Sequence, residues 1–318
     1  MKKIFASIVL LSGVLLLTNC KQDDAITTVA DRDRQEVYNE DIIKIENFLK
    51  NNSITVTQND VKFDSVSFEA INSIWKQNDY KLESVELSND TYKLVSGKYV
   101  KENDDVKYKV YYLVINEGGG KTVSKYDNIY SGYTGYKLDR TVFDTYPYGI
   151  WFGYPSNSTG SESISGYRQI LDKVKTAAGV TINDDGSYNY DNAGRVIVFL
   201  PSGLGYFSGS SGKVNGYESL IFDISVIVNK EIDHDNDGIL SKYEDANGNG
   251  NLWDDDTDGD GKPDFLDLDD DGDGFTTREE ITYEVEENGQ LVKKIYEFNA
   301  IPYCTNGSIK KHLDKTCH

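Results

Sequence analysis

Acidic side chains recur at alternate positions in several short stretches between residues 233 and 280. DHDNDGILSKYE begins at 233 and DDDGDGFTTREE begins at 269, and both match the spacing D-x-D-x-D-G-x5-E. The acids are Asp233, Asp235, Asp237 and Glu244 in the first stretch and Asp269, Asp271, Asp273 and Glu280 in the last. Alternate carboxylates can face one hard cation, Gly allows the sharp turn, and the distant Glu closes the shell. The spacing therefore predicts calcium sites.

The same frame recurs between these two stretches. DANGNGNLWDDD and DTDGDGKPDFLD place oxygen ligands at Asp245, Asn247, Asn249 and Asp256, and at Asp256, Asp258, Asp260 and Asp267. Loop starts at 233, 245, 256 and 269 leave no room for the helices that flank an EF-hand loop, so the block resembles thrombospondin type-3 calcium repeats. We expect residues 231–282 to form a structural calcium appendix without a catalytic metal. The alternative is a solvated polyanionic linker.

Charge is concentrated in this acidic block. The net charge is -20, and residues 233–280 hold 18 Asp+Glu against 3 Lys+Arg. Phosphate binding needs clustered Lys and Arg, so the composition excludes a nucleic-acid partner. The three His residues, His234, His312 and His318, all lie in or after the block, which argues against a Ser-His-Asp or Cys-His site in the middle of the chain.

The first twenty residues have the order of an export signal. Lys2 and Lys3 precede an apolar run from Ile4 to Leu17, and Cys20 follows it. This resembles the lipobox of bacterial lipoproteins, which implies a signal peptide at 1–19 and a lipid-anchored tether at 20–38 that binds a membrane through acylated Cys20. The segment KQDD at 21–24 resembles the signal that sends some Bacteroidetes lipoproteins to the cell surface. We expect a cell-envelope protein at the outer membrane. An ordinary cleaved signal with a free thiol is the alternative.

Two cysteines remain if Cys20 is acylated. Cys304 and Cys317 are an even pair in an exported chain, and they predict a disulfide in a C-terminal segment at 283–318. Two unpaired surface thiols are the alternative.

Hydrophobic periodicity divides the rest of the chain into strands and few helices. Residues 39–107 read as an extension with a short amphipathic helix in NEDIIKIENFLKN, followed by alternating strands. GYRQILDKVK at 166–175 has one apolar face and predicts a helix. RVIVFL and SLIFDISVIV are β-branched and predict strands, and the turn-rich segment 181–194 predicts an inserted loop. The pattern is α+β.

Four segments of this middle region carry a family resemblance. They are GYTGYKLDRTVFD at 132–144, ISGYRQIL from 164, FLPSGLGYF from 199 and SLIFDISVI from 219. In this order they resemble the FKBP-type peptidyl-prolyl cis-trans isomerases, whose patterns are Y-x-G-x-L-x-D-G-x-x-F-D, V-I-x-G-W, I-P-x-x-x-x-Y-G and L-x-F-D-V-x-L. The resemblance covers residues 108–230. It implies a half-open antiparallel sheet wrapped on one helix.

The resemblance also implies a ligand pocket. Ile164 would offer its backbone amide to the ligand, Tyr167 stands where the family has the Trp of the pocket floor, and the Tyr206 hydroxyl would bond a ligand carbonyl. The full set of matched positions is Tyr133, Phe143, Asp144, Ile164, Tyr167, Tyr206, Val214 and Phe222.

Several positions depart from the family pattern. Arg140 replaces a turn Gly, Ser163 replaces the Val before Ile164, and Phe207 replaces the Gly after Tyr206. Asn215 and Gly216 stand where the family usually has Pro-Pro. These changes alter the floor and the rim of the pocket.

The chemistry of these residue types agrees with the resemblance. Rotation about an X-Pro bond must cross about 20 kcal/mol because of amide resonance. A dry aromatic pocket disfavours the charge-separated planar amide and holds the twisted one, so neither nucleophile nor metal is needed. We therefore expect a peptidyl-prolyl isomerase with proline-containing clients and no catalytic cofactor. The alternative is an inactive FKBP-fold binding module or adhesin stiffened by calcium, in which the aromatic residues are only core.

Overall fold

The structure is a computed structural model that describes residues 30–58, 60–155, 161–185, 187–304 and 307–317. The predicted signal peptide, Cys20 and the first part of the predicted tether lie outside the described residues. The elements, in chain order, are α1 (Arg34–Asn51), β1 (Asn52–Val56), β2 (Val61–Ser65), β3 (Leu82–Ser88), β4 (Tyr92–Val95), β5 (Lys98–Lys101), β6 (Lys107–Asn116), β7 (Asn128–Lys137), β8 (Val142–Gly153), β9 (Ser161–Glu162), α2 (Ser165–Ile170), β10 (Gly179–Ile182), β11 (Tyr188–Asp191), β12 (Gly194–Leu200), β13 (Leu220–Lys230), α3 (Thr277–Glu280), β14 (Thr282–Glu287) and β15 (Gln290–Ile295).

A seven-stranded sheet lies at the centre of the fold. Its strand order is β3-β6-β12-β13-β7-β8-β9, and its pairs are antiparallel except for the parallel pair β8 and β9. The protein is therefore a mixed α/β structure built on a large antiparallel sheet. Among the described residues, no helix is both long and apolar enough to span a membrane.

Both faces of this sheet are buried. On β12, Val196 and Val198 belong to the apolar cluster that contains α2, whereas Ile197 and Phe199 belong to the cluster that contains α1. Successive side chains of a strand point to opposite faces, so a strand covered on both sides must be apolar throughout. This explains why the five residues after Arg195, VIVFL at 196–200, are all apolar.

Helix α1 covers the face of the sheet opposite α2. Asp33 caps it by accepting a hydrogen bond from the backbone amide of Glu36, and Ile45 and Leu49 are fully buried beneath it. Two of the sequence predictions therefore need correction. The predicted tether at 20–38 overlaps the helix, which begins at Arg34, and the sheet packs against two helices rather than one.

The N-terminal extension is part of the same sheet as the predicted isomerase region. Strand β3 pairs with β6 from Leu82 opposite Leu113 to Ser88 opposite Lys107. The boundary predicted between 107 and 108 consequently does not separate two domains. Residues 32–318 form one compact unit.

The segment 181–194 is a hairpin rather than the predicted inserted loop. Strands β10 and β11 pair from Gly179 opposite Asp191 to Ile182 opposite Tyr188. Its many Asn, Asp and Gly residues favour turns, but alternate Val, Ile and Tyr side chains are compatible with a two-stranded ribbon.

Short helical turns and loops make up the acidic block, which packs against the sheet region. Trp253 stacks on Tyr92 with ring centroids 4.4 Å apart, and it also contacts Tyr154 and Phe265. The backbone amide of Leu252 donates to the Tyr126 hydroxyl at 3.0 Å. The appendix is thus attached by a buried aromatic cluster.

The C-terminal segment packs on the acidic block. Ile239 and Ile281 form one buried cluster with Ile301, so the boundary predicted at 282 crosses a shared core. A disulfide joins Cys304 and Cys317, whose Cα atoms are 5.8 Å apart.

Candidate active site

The central strands and α2 bring five aromatic rings together on the α2 face of the sheet. Phe222 lies in edge-to-face contact with Phe143 and Tyr167, each with ring centroids 5.5 Å apart. Tyr133 is 5.8 Å from both Tyr167 and Phe222. We call Tyr133, Phe143, Phe152, Tyr167 and Phe222 the ring cluster.

Phe152 is the member of this cluster that the sequence prediction missed. Its ring lies 5.0 Å from Tyr167 and 5.9 Å from Tyr133. The available signal was its place in the apolar run GIWFG at the end of β8, but the first family pattern ends at Asp144, near the start of that strand.

Tyr133 and Asp144 form a hydrogen-bonded pair at the open side of the cluster. The Tyr133 hydroxyl donates to Asp144 Oδ2 at 2.6 Å, across the paired strands β7 and β8. Burial, followed by this hydrogen bond, raises the pKa of Tyr133 far above its ordinary value. The phenol therefore stays protonated and donates, and the exposed carboxylate fixes its orientation.

Two hydrogen-bond donors beside the cluster have no protein partner within the described residues. One is the backbone amide of Ile164, the residue that precedes the first turn of α2. The other is the hydroxyl of Tyr206, which packs against the same core as Tyr133. Both residues are only partly buried. A bound carbonyl group could satisfy either donor.

The remaining predicted positions behave as core. Val214 is buried in the cluster that contains α2. Tyr167 is also buried, and its hydroxyl shares a 2.9 Å hydrogen bond with Ser131 Oγ beneath the ring cluster. Burial raises the pKa of Tyr167, so this hydroxyl is neutral. The ring of Tyr167 thus packs in the ring cluster, while its hydroxyl group is hydrogen-bonded to Ser131 below that cluster.

The four predicted acidic loops share one hydrogen-bond pattern. In each, the Gly at position six donates its backbone amide to Oδ2 of the Asp at position one. The pairs are Gly238 with Asp233 at 3.1 Å, Gly250 with Asp245 at 2.9 Å, Gly261 with Asp256 at 3.0 Å and Gly274 with Asp269 at 3.0 Å. All four glycines have positive φ, between 79° and 113°, which explains the requirement for Gly.

Three of these loops bring their alternate acids together. One carboxylate oxygen from each acid lies within 4.8 Å of the others in the groups Asp233, Asp235 and Asp237, Asp256, Asp258 and Asp260, and Asp269, Asp271 and Asp273. The second loop uses Asn247 and Asn249 at the corresponding positions. The backbone amide of Asn249 donates a hydrogen bond to Oδ1 of Asp245 at 3.0 Å.

The predicted closing ligands do not complete these groups among the described residues. Asp267 pairs with Lys262 at 3.4 Å, and Glu280 is outside the group of its own loop. Glu244 belongs to a different group, with Asp237 and with Asp270, a residue that the spacing did not single out. Burial raises the pKa of Asp237 to about 7 and that of Asp270 to about 10.

Comparisons with known proteins give one family match and several distant structures. A family described as BamM C-terminal matches residues 234–311, which include both the acidic block and most of the segment after it. No curated protein matches the chain.

The solved structures to which the chain is similar include a peptidyl-prolyl cis-trans isomerase. FkpA from Escherichia coli is 21% identical over 38% of this chain, with a TM-score of 0.29, and the chain spans 48% of its length. A peptidyl-prolyl cis-trans isomerase from Pseudomonas syringae pv. tomato is 13% identical over 64% of this chain and 100% of its own, with a TM-score of 0.34. The N-terminal domain of FKBP42 from Arabidopsis thaliana is 20% identical over 45% of this chain and 99% of its own, with a TM-score of 0.29. These TM-scores are all below 0.5, so the function proposed below rests on the geometry of this chain.

Proposed function

We propose that this chain is a peptidyl-prolyl cis-trans isomerase with an FKBP-like fold in residues 108–230. The observation that carries the proposal is the ring cluster, together with the two unpaired donors at Ile164 and Tyr206. Both donors are only partly buried, so water can bond them in the free protein and a bound carbonyl group can replace that water.

The geometry suggests how the barrier to rotation is lowered. The pyrrolidine ring of proline would pack on the partly buried rings of Tyr133, Phe143 and Phe152, and the buried rings beneath them would exclude water. The Ile164 amide and the Tyr206 hydroxyl would hold the carbonyl groups on either side of the rotating bond. A dry site favours the twisted amide because it is less charge-separated than the planar one. The reaction transfers no proton, so Asp144 only orients Tyr133.

The acidic block has a separate role in this proposal. Its four loops would bind calcium through carboxylate and carbonyl oxygens, and the shared hydrogen-bond pattern supports that assignment. None of its acids belongs to the ring cluster, so the ions would shape the appendix and take no part in the rotation.

We further propose that the chain is a lipoprotein acting on proline-containing polypeptides at the outer membrane. The export-type N-terminus with Cys20 supports the lipid anchor, and the segment KQDD at 21–24 supports the outer-membrane setting. Loss of membrane partitioning in Cys20→Ser is the expected result, and a native N-terminus without lipid in intact-mass data would contradict it.

Exchange spectroscopy on X-Pro peptides tests the isomerase directly. The full chain should accelerate cis-trans exchange, and it should do so equally with calcium and with a chelator. Phe143→Ala and Tyr206→Phe should each lower kcat/KM by about tenfold or more, as expected for losing one ring wall or one orienting donor.

Matched substitutions outside the ring cluster control for general damage. Phe68 and Tyr188 are both exposed, so Phe68→Ala and Tyr188→Phe should leave the exchange rate unchanged. The assay should cover peptides with different residues before Pro. If the protein is folded and all exchange rates equal the uncatalysed ones, the chain is not an isomerase and the binding module is favoured. Peptide binding without catalysis would then identify that module.

A further inference from the structure

One group of acids joins the first acidic loop to the last. A carboxylate oxygen of Asp237, of Glu244 and of Asp270 lies within 4.8 Å of the other two. Asp237 and Glu244 are the fifth and twelfth residues of the first loop. Asp270 is the second residue of the fourth loop, a position that supplies no ligand in the loop pattern. The group therefore crosses between two loops that are far apart in sequence.

The three side chains are almost completely buried. Asp237 is 0% exposed, Glu244 5% and Asp270 1%. Neither carboxylate oxygen of Glu244 or Asp270 has a hydrogen-bond partner within the described residues, and neither does Oδ2 of Asp237. The hydroxyl of Thr277 accepts from the backbone amide of Asp270 instead, at 3.2 Å. Five carboxylate oxygens of this group thus lack a hydrogen-bond donor, and one oxygen of each residue lies near the other two residues.

A bound cation would satisfy this arrangement. Buried carboxylates that are neither paired nor hydrogen-bonded are strongly unfavourable when ionised. The donor set is oxygen only, and neither Cys nor His belongs to the group. Oxygen donors of this kind suit a hard divalent cation and disfavour soft metals.

We propose that Asp237, Glu244 and Asp270 bind a calcium ion in addition to those of the four loops. Asp237 also belongs to the group with Asp233 and Asp235, so its carboxylate bridges the two ions. The additional ion closes the repeat into one unit by tying residue 270 to residues 237 and 244. This inference rests on the proposed calcium binding of the loops.

Ion counting on the full chain in detergent tests the assignment. Native mass spectrometry in saturating calcium should find one ion fewer on Asp270→Asn than on the wild type. Glu284→Gln removes a carboxylate from the exposed face of β14 and should leave the count unchanged. An equal count on Asp270→Asn and wild type overturns the bridging ion. A wild-type count of zero overturns the loop sites as well.

Thermal unfolding separates an ion ligand from an ordinary structural residue. In calcium, Asp270→Asn should melt at a lower temperature than the wild type. In chelator the two proteins should melt at the same temperature, because the ion that Asp270 would bind is absent from both. A variant that melts lower by the same amount in both conditions contradicts the inference.

The wild type alone provides a test if the variant does not fold. Crystals of the full chain soaked in Tb³⁺ should show an anomalous peak between the three carboxylates, besides the peaks within the loops. Loop peaks without a peak at this point refute the bridging ion and leave the loop sites standing.

Discussion

Arg140 and Phe207 stand where the FKBP pattern has glycine, and both keep a left-handed backbone, with φ of 74° and 47°. A non-Gly residue in this region costs about 1–3 kcal/mol. Each makes a contact with the N-terminal extension in return. Arg140 donates to Ser65 Oγ at 2.8 Å, and the Phe207 ring lies under the guanidinium of Arg34 at 4.0 Å. The departures from the pattern thus attach the extension to the sheet.

Gly135 occupies the first glycine position of the first family motif. The ring of Phe143 explains why a glycine is required there. A Cβ atom at position 135 would lie 2.7 Å from Cε1 of that ring, which is far inside normal contact distance. We predict that Gly135→Ala displaces Phe143 and lowers kcat/KM for X-Pro exchange by about tenfold, with an overpacking cost of about 1–3 kcal/mol in unfolding free energy. Exchange spectroscopy and denaturant unfolding measure the two effects.

Gly179→Ala is the matched control for this substitution. The nearest atom to a Cβ there is a carboxylate oxygen of Asp191 at 3.7 Å, an ordinary contact on the distant hairpin. Its activity should equal that of the wild type. If Gly135→Ala keeps full activity while the protein is folded, Phe143 does not line the reactive pocket.

Among the elements, α1 has the role that the sequence predicted least well, because it covers the face of the sheet opposite α2. Ile45 is fully buried against Phe199 and Ile221 in one cluster, whereas Ile43 is 62% exposed. We predict that Ile45→Ala lowers the free energy of unfolding of the whole sheet by about 2–5 kcal/mol. Ile43→Ala on the same helix should change it by less than about 0.5 kcal/mol.

Denaturant unfolding followed by far-ultraviolet circular dichroism measures both isoleucine variants. A loss confined to Ile45→Ala, in a single transition, supports one cooperative core on both faces of the sheet. If Ile45→Ala unfolds α1 in a separate, earlier transition, the helix is an independent appendage and the sheet region is stable without it.

The local patterns of the sequence predicted the helices, strands and loops better than they predicted which of these elements pack together. Periodicity identified the buried face of the helix that carries Tyr167, and the glycine and acid spacing gave the phase of all four loops. The pattern of α1 shows that one face is buried, but not that it covers the sheet. Phe152 and Asp270 come to their sites through strand register and loop packing, which alternation and spacing do not encode. The hairpin at 179–191 was missed because its polar turn residues outweigh its short strands.

At the scale of the whole molecule, the acidic block and the sheet region meet through aromatic side chains. Trp253 is buried between Tyr92 and Tyr154, and Tyr154 in turn lies under the guanidinium of Arg168. Arg168 also donates to the backbone oxygen of Ser163, next to Ile164. Contacts therefore connect the block to the edge of the candidate pocket, although no acid of the block joins the ring cluster.

Calcium removal should expose this aromatic contact. Without ions, 18 acids against 3 bases in residues 233–280 would repel one another, and we expect the block to lose its fold. Trp253 would then leave its stack on Tyr92, so we predict a red shift of tryptophan emission and new protease cleavage within the block when the full chain is chelated. Trp75 and Trp151 lie in the sheet region, so the shift should vanish in Trp253→Phe while the cleavage remains. Restored calcium should reverse both changes in the wild type. Emission and cleavage that are the same with calcium and with chelator would mean that the repeat is a charged linker whose packing on Tyr92 needs no ion.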